Sequence, residues 1–202
     1  CEEKSEHRVI YIFTEGTETE PNYFKSVKDE LRLQTIDIYV VGTAHNTLSL
    51  VDYILDFKDK NSIKTSSSGD DEIWAVFDKD GFDRDFDNAI NKAEARGIKV
   101  AYSNESFELW FLLHFDYMDS SLTRELYCKK LEDNLKKITG NPTTKYDKGS
   151  KKLYSLIKHL EPRAIKNAER LLKSFDSEVS FLRKNPSTTV HLLVSSLKNL
   201  KE

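Results

Sequence analysis

The chain has 202 residues, 38% of them hydrophobic and 32% charged, with a net charge of −3. That is enough apolar material for one sizeable core, and too many aromatic residues for general disorder. Two cysteines, Cys1 and Cys128, with no C-x-x-C pair, argue against a disulfide framework or a structural zinc site and fit a reducing, cytoplasmic setting.

Read in chain order, the first hundred residues alternate between two patterns. "RVIYIFTE" (8–15) is an apolar run typical of a buried strand, and "EPNYFKSVKDELRL" (20–33) reads as a helix with Pro21 near its first position. "TIDIYVVG" (35–42) is a second strand. "NTLSLVDYILDFKDK" (46–60) has helical spacing with Asn46 or Thr47 as cap. After the polar loop "KTSSSGDDE" (64–72) come a third strand, "EIWAVFDKD" (72–80), and a helix, "DRDFDNAINKAEARG" (83–97), with acids at its start and a glycine stop. "IKVAYSN" (98–104) is a fourth strand, and "ESFELWFLLHF" (105–115) starts a helix apolar nearly all round, hence buried.

Short connections between continuously apolar strands predict an α/β fold: a Rossmann-like parallel sheet of about four strands with helices on both faces. Beyond about Tyr117 no further strand is legible. Residues 121–139 and 150–184 read as helices, and "NPSTTVHLLVSSLKNL" (185–200) as cap residues followed by an amphipathic helix. The expected division is 1–118 for the α/β domain, 119–184 for a basic helical insertion, and 185–202 for a C-terminal helix packing back on the core. Between Lys129 and Lys173 there are thirteen Lys or Arg against five Asp or Glu, so the rest of the chain is strongly acidic. No run is long enough to span a membrane and no leader is legible. The first residue, Cys1, is consistent with a longer natural N-terminus.

Strand one ends on Glu15, followed by Gly16, Glu18 and Glu20; strand three ends on Asp78, Lys79 and Asp80. Residues two apart in a strand point the same way, so Asp78 and Asp80 can aim together while Lys79 turns aside to a salt bridge. In the usual doubly wound order strands one and three are neighbours where the winding reverses, and ligands bind there, outside the strands' carboxyl ends. Crowded carboxylates repel, and one of them takes up a proton unless a cation compensates. Mg²⁺ suits such oxygen ligands and could polarise a phosphodiester. Acids also cap helices and fill turns, which is the default for Asp83, Asp85 and Asp87.

Four stretches, "TEGTETEPNYF" (14–24), "VFDKDGF" (76–82), "SNESFELWFLLHF" (103–115) and "NPSTTVHLLVSSL" (185–197), resemble the RloB-like family, which includes abortive-infection proteins of the AbiLii type. The glutamate–glycine turn and D-x-D pair resemble the Toprim fold more broadly. The resemblance implies a Toprim-type, Mg²⁺-dependent nuclease, with Mn²⁺ able to substitute, acting in prokaryotic anti-phage defence. It also implies a neighbouring ABC/AAA-type ATPase as regulator. By position it makes Glu15 the first acid, Asp78 and Asp80 the aspartate pair, Glu20 a further metal ligand, and Glu108 the acid of the F-E-L-W stretch.

Lys145, Lys148, Lys151 and Lys152, with Tyr146 and Tyr154 among them, form a basic and aromatic stretch suited to phosphates and unpaired bases. His114 and His191 have packing as their default. The leading reading is a nuclease cutting RNA, such as tRNA, or DNA. A non-catalytic regulatory subunit docking on the ATPase is the alternative, and a primase-like nucleotidyl transferase is a third reading, weakened by the lack of a glycine-rich phosphate loop. Homo-oligomerisation stays open.

Overall fold

A computed structural model describes residues 8–33, 36–65, 71–79, 81 and 84–201. Asp80, Asp83 and the middle of the polar loop, 66–70, lie outside the described residues.

The architecture is a five-stranded sheet in the order β2-β1-β3-β4-β5. Strands β1 (Arg8–Thr14), β2 (Ile36–Gly42), β3 (Glu72–Asp78) and β4 (Lys99–Asn104) are parallel; β5 (Ser187–Thr188) is antiparallel to β4. Four helices follow the first four strands: α1 (Thr19–Leu31), α2 (Thr47–Lys60), α3 (Phe86–Glu94) and α4 (Glu108–Leu113). The helical region contributes α5 (Arg124–Thr139), α6 (Leu153–Ile157), α7 (Glu161–Lys173) and α8 (Val190–Lys198).

The strands β1, β3 and β4 are buried on both sides, and their alternation divides two cores, whereas β2 at the sheet edge is largely exposed. Ile10 and Ile12 of β1, with Trp74 and Val76 of β3, face α1 and α4 to α8. Phe13 of β1, with Ile73, Ala75 and Phe77 of β3, faces α2 and α3. Parity then assigns the strand-end residues. Asp78 continues the Trp74–Val76 face, toward α1 and α4, whereas Lys79 turns to the other side and pairs with Glu105 at 3.4 Å. The first core also takes in Tyr127, Leu131, Leu153, Ala164 and Ala168, so the basic helices share a core with the sheet.

Three expectations need correction. A strand does occur beyond Tyr117. β5 escapes an apolar pattern because hydroxyls hold it: Ser103 Oγ meets Thr188 Oγ1 at 3.1 Å, and Thr188 Oγ1 donates to Tyr102 O at 3.0 Å. Helix does not extend to 184. After Lys173 the chain turns, and polar bonds tie it down, with Asn104 Nδ2 donating to Leu182 O at 2.9 Å. Asp87 does not cap α3; its carboxylate accepts from Ser180 Oγ and Leu182 N, both at 2.7 Å. Asn46 does cap α2, accepting from Ser49 N at 3.2 Å.

Candidate active site at the carboxyl edge of the sheet

The parallel order places β1 and β3 side by side, with β2 beyond one and β4 beyond the other. Their carboxyl ends open at the point where the winding reverses. A cleft of about 260 Å³ lies there, lined by Glu15, Glu18, Glu20, Asp78, Phe107, Glu108, Arg124 and Lys148 among others.

The β1–α1 turn sets two acids. Thr14 Oγ1 donates to Gly16 O at 2.7 Å and closes the turn. Glu15 N still donates to Val76 O at 2.9 Å, holding Glu15 against β3, and Glu15 Oε2 lies 3.4 Å from Asp78 N. Glu20, in the first turn of α1, folds back over Gly16, where a Cβ would overlap its carboxylate. Glycine at 16 leaves the carboxylate the space that a side chain would otherwise fill.

Asp78 closes β3 and Glu108 opens α4. A packed aromatic group fixes α1 and α4 relative to one another. Tyr23 of α1 meets Phe107 at 5.8 Å, Phe111 at 5.6 Å and Tyr154 of α6 at 5.5 Å between ring centroids. Such aromatic pairs hold the backbone beneath the acids in one arrangement.

Glu20, Asp78 and Glu108 are all buried. Burial first, then the carboxylates of Glu20 and Glu108, pushes the Asp78 carboxyl well above its usual range, with Arg124 offsetting part of this. Burial and Glu108 likewise raise Glu20. Crowding of acids thus falls on Glu20, Asp78 and Glu108, with Glu15 at the rim. Arg124 Nη2 donates to Asp78 Oδ2 at 3.0 Å, whereas Asp78 Oδ1 is buried without a hydrogen-bond partner. The Tyr146 hydroxyl donates to Glu108 Oε1 at 3.1 Å, and Lys148 Nζ lies 3.8 Å from the same oxygen.

Of the basic stretch, Lys148 lines the cleft, while Lys145, Lys151 and Lys152 are exposed outside it. Tyr154 is buried in the core, and Tyr146 is half-buried and packed against the same core, with its hydroxyl on Glu108. His114 is fully buried with Nδ1 bonded to Trp110 O, and burial pulls it down to about 4. Arg124 was not expected. It lies 46 residues from Asp78 in sequence, and its one local signal is a cation in the first turn of a helix, the unfavourable end for positive charge.

The donor set suits a hard divalent cation. All the acids offer oxygen, and the Asp78 Oδ1 atom is buried and unsatisfied. Among the described residues no three His, Cys, Asp or Glu side chains form a ready-made cage. Mg²⁺ does not need one, since it commonly takes one or two protein carboxylates and keeps its waters.

Comparison with curated proteins and with solved structures gives no match. The family model described as RloB-like protein matches residues 10–197, nearly the whole chain and every element from β1 to α8. The chain belongs to the RloB family.

Proposed function

We propose that this chain is a Toprim-type, metal-dependent phosphodiester hydrolase, the nucleic-acid-cutting effector of an abortive-infection system against phage, under the control of a partner ATPase. The observation that carries this reading is the environment of Asp78. A buried carboxylate oxygen without a partner is costly. Here it sits among further acids, at the sheet edge where ligands of open parallel folds bind.

Asp78 and Glu20 would hold the ion, with Glu15 or Glu108 completing the set; Asp80, outside the described residues, is a further candidate. A bound Mg²⁺ or Mn²⁺ supplies Lewis-acid polarisation of the phosphodiester and a water of lowered pKa. The protein's own part is placement. Glu15 is kept against β3 by its backbone bond to Val76, and Tyr146 orients Glu108 through its hydroxyl. The buried surroundings of Glu20 and Asp78 strengthen every charge interaction in the cleft. Lys148 offers a positive charge to an incoming strand.

The test is cleavage of pooled tRNA, single-stranded DNA and duplex DNA by the wild type and by Glu15→Ala, each with Mg²⁺, Mn²⁺ or EDTA, with and without the partner ATPase. Cutting that needs metal and disappears in the variant is expected, and the substrate cut names the class. No cutting under any condition, together with no metal binding by calorimetry, would sink the reading in favour of a non-catalytic docking subunit.

A further inference from the structure

Arg124 is the first residue of α5, in the helical half of the molecule and outside the four stretches that carry the family resemblance. Its guanidinium nevertheless reaches across to the carboxyl end of β3. From the geometry we infer that Arg124 is a phosphate-binding residue of the cleft: it holds Asp78 in the absence of substrate and grips a nucleic-acid phosphate when a strand enters. This rests on the phosphodiester reading of the cleft.

Three observations meet here. First, the Arg124 side chain lines the cleft and is 30% exposed, while the Asp78 side chain it touches is 9% exposed. The pair therefore has an open side, unlike a sealed structural ion pair. Second, a cation at the start of α5 is unfavourable for the helix itself. Helix stability does not account for arginine at this place. Third, the ligand chemistry matches. A guanidinium carries five donors in a rigid fork complementary to both carboxylate and phosphate. One of its nitrogens, Nη2, meets Asp78 Oδ2 at 3.0 Å.

Lys148 enters the cleft from a different segment, the 140–152 loop. This loop is fastened at the rim of α1, where Asn22 Nδ2 donates to Gly149 O at 3.1 Å. A strand crossing the acids therefore meets a cation from α5 and another from this loop. The acidic floor alone would repel a polyanion, so cations in its wall are what let a phosphodiester approach the carboxylates.

The test measures binding, without cleavage. Fluorescently labelled oligothymidylate and labelled pooled tRNA are titrated with the full chain in EDTA at several salt concentrations. Wild type, Arg124→Met and Arg124→Lys are compared. For the single strand, Arg124→Met should flatten the slope of log affinity against log salt by about 0.7, and weaken binding about fivefold near 0.1 M salt. Arg124→Lys should keep the slope, because the point charge remains. The two probes separate DNA from RNA as the strand held. If the single variant melts early, Asp78→Asn/Arg124→Met removes both partners as a unit and should show the same flattened slope. Arg124→Met binding with the wild-type slope would overturn the inference and leave the nuclease reading standing. A wild type that binds neither probe would also overturn the inference, and the nuclease reading falls with it only if the cleavage and calorimetry test fails too.

Discussion

The two ends of β3 carry acids of similar side-chain exposure and opposite treatment. The Glu72 side chain, at the strand's start, is 10% exposed, and that of Asp78, at its end, 9%. Glu72 is surrounded by donors. Arg8 and Lys99 pair with it, Trp74 Nε1 donates at 2.9 Å and Ser196 Oγ lies at 3.4 Å. Burial alone would raise its pKa, but Lys99, Trp74 and Arg8 overcome burial and hold it below the usual glutamate range. Asp78 has Arg124 on one oxygen, no partner on the other, and two carboxylates beside it. Burial raises both, Asp78 the more, and the neighbours reverse the direction only at Glu72. The amino end of the strand is finished as structure, and the carboxyl end is left electrostatically incomplete. Proteins tolerate such incompleteness where a ligand completes it.

The widest separation between the two ends is expected in activity. Asp78→Asn should cost cleavage roughly a thousandfold, by removing a charge from the ion's site, whereas Glu72→Gln should leave cleavage per folded molecule unchanged. Equal losses in a metal-dependent assay would erase the contrast.

Stability should move the other way. Glu72→Gln strips the charge from between Arg8 and Lys99. Allowing for screening at half-exposed Lys99, that is a loss of about 1–2 kcal/mol, or roughly 3–6 °C in Tm for a chain of this size. Asp78→Asn in metal-free buffer should hold or raise Tm, because it relieves the crowding with Glu20 and Glu108. Thermal melts in EDTA check both.

Gly16→Ala sharpens the comparison within the cleft. The new Cβ meets the flexible end of Glu20, which can swing aside. The fold should survive while affinity for Mn²⁺ falls about tenfold, a second-sphere magnitude. Calorimetric titration against wild type reads it.

The pH dependence should differ in sign. Because Asp78 is raised in the folded state, its neutral form favours folding. Its contribution is complete below the pKa of an unfolded aspartate and is lost as pH rises through the folded value. Glu20 acts the same way. Glu72 is lowered, so its contribution is present above the unfolded glutamate pKa and is lost as pH falls through the folded value. In EDTA, Asp78→Asn should therefore gain on the wild type as pH rises above the pKa of an unfolded aspartate, and the gap should close in acid. A pH-independent gap would contradict the assigned environment. The smallest effect belongs to Tyr146→Phe. Loss of one hydrogen bond to Glu108 should cost about 1 kcal/mol of orientation, a few-fold in kcat.

Much of this organisation was legible in the sequence because burial and position act locally. Continuous apolar runs mark β1 to β4, and the alternation of Trp74 and Val76 with Ala75 and Phe77 assigns Asp78 its face. Acids at strand ends point to the sheet edge without any knowledge of tertiary contacts. What stayed hidden depends on contacts between distant segments. β5 is two polar residues held by hydroxyls of β4 and itself, so no apolar period announces it. Arg124 reaches Asp78 only because α5 packs beside α4, with Tyr127 and Leu131 in the same core. Tyr146 reads in sequence as an aromatic of a basic loop, and only the fold turns its hydroxyl onto Glu108.

The claim at the centre of this account is that the acids around Asp78 wait for a divalent cation. The most direct measurement is a thermal melt of wild type and Asp78→Asn across a Mn²⁺ titration. At a hundredfold excess over the dissociation constant, binding should stabilise the wild type by about 2.7 kcal/mol, several degrees in Tm, and should do far less for the variant. A wild-type Tm indifferent to Mn²⁺, or an equal rise in both proteins, would contradict it.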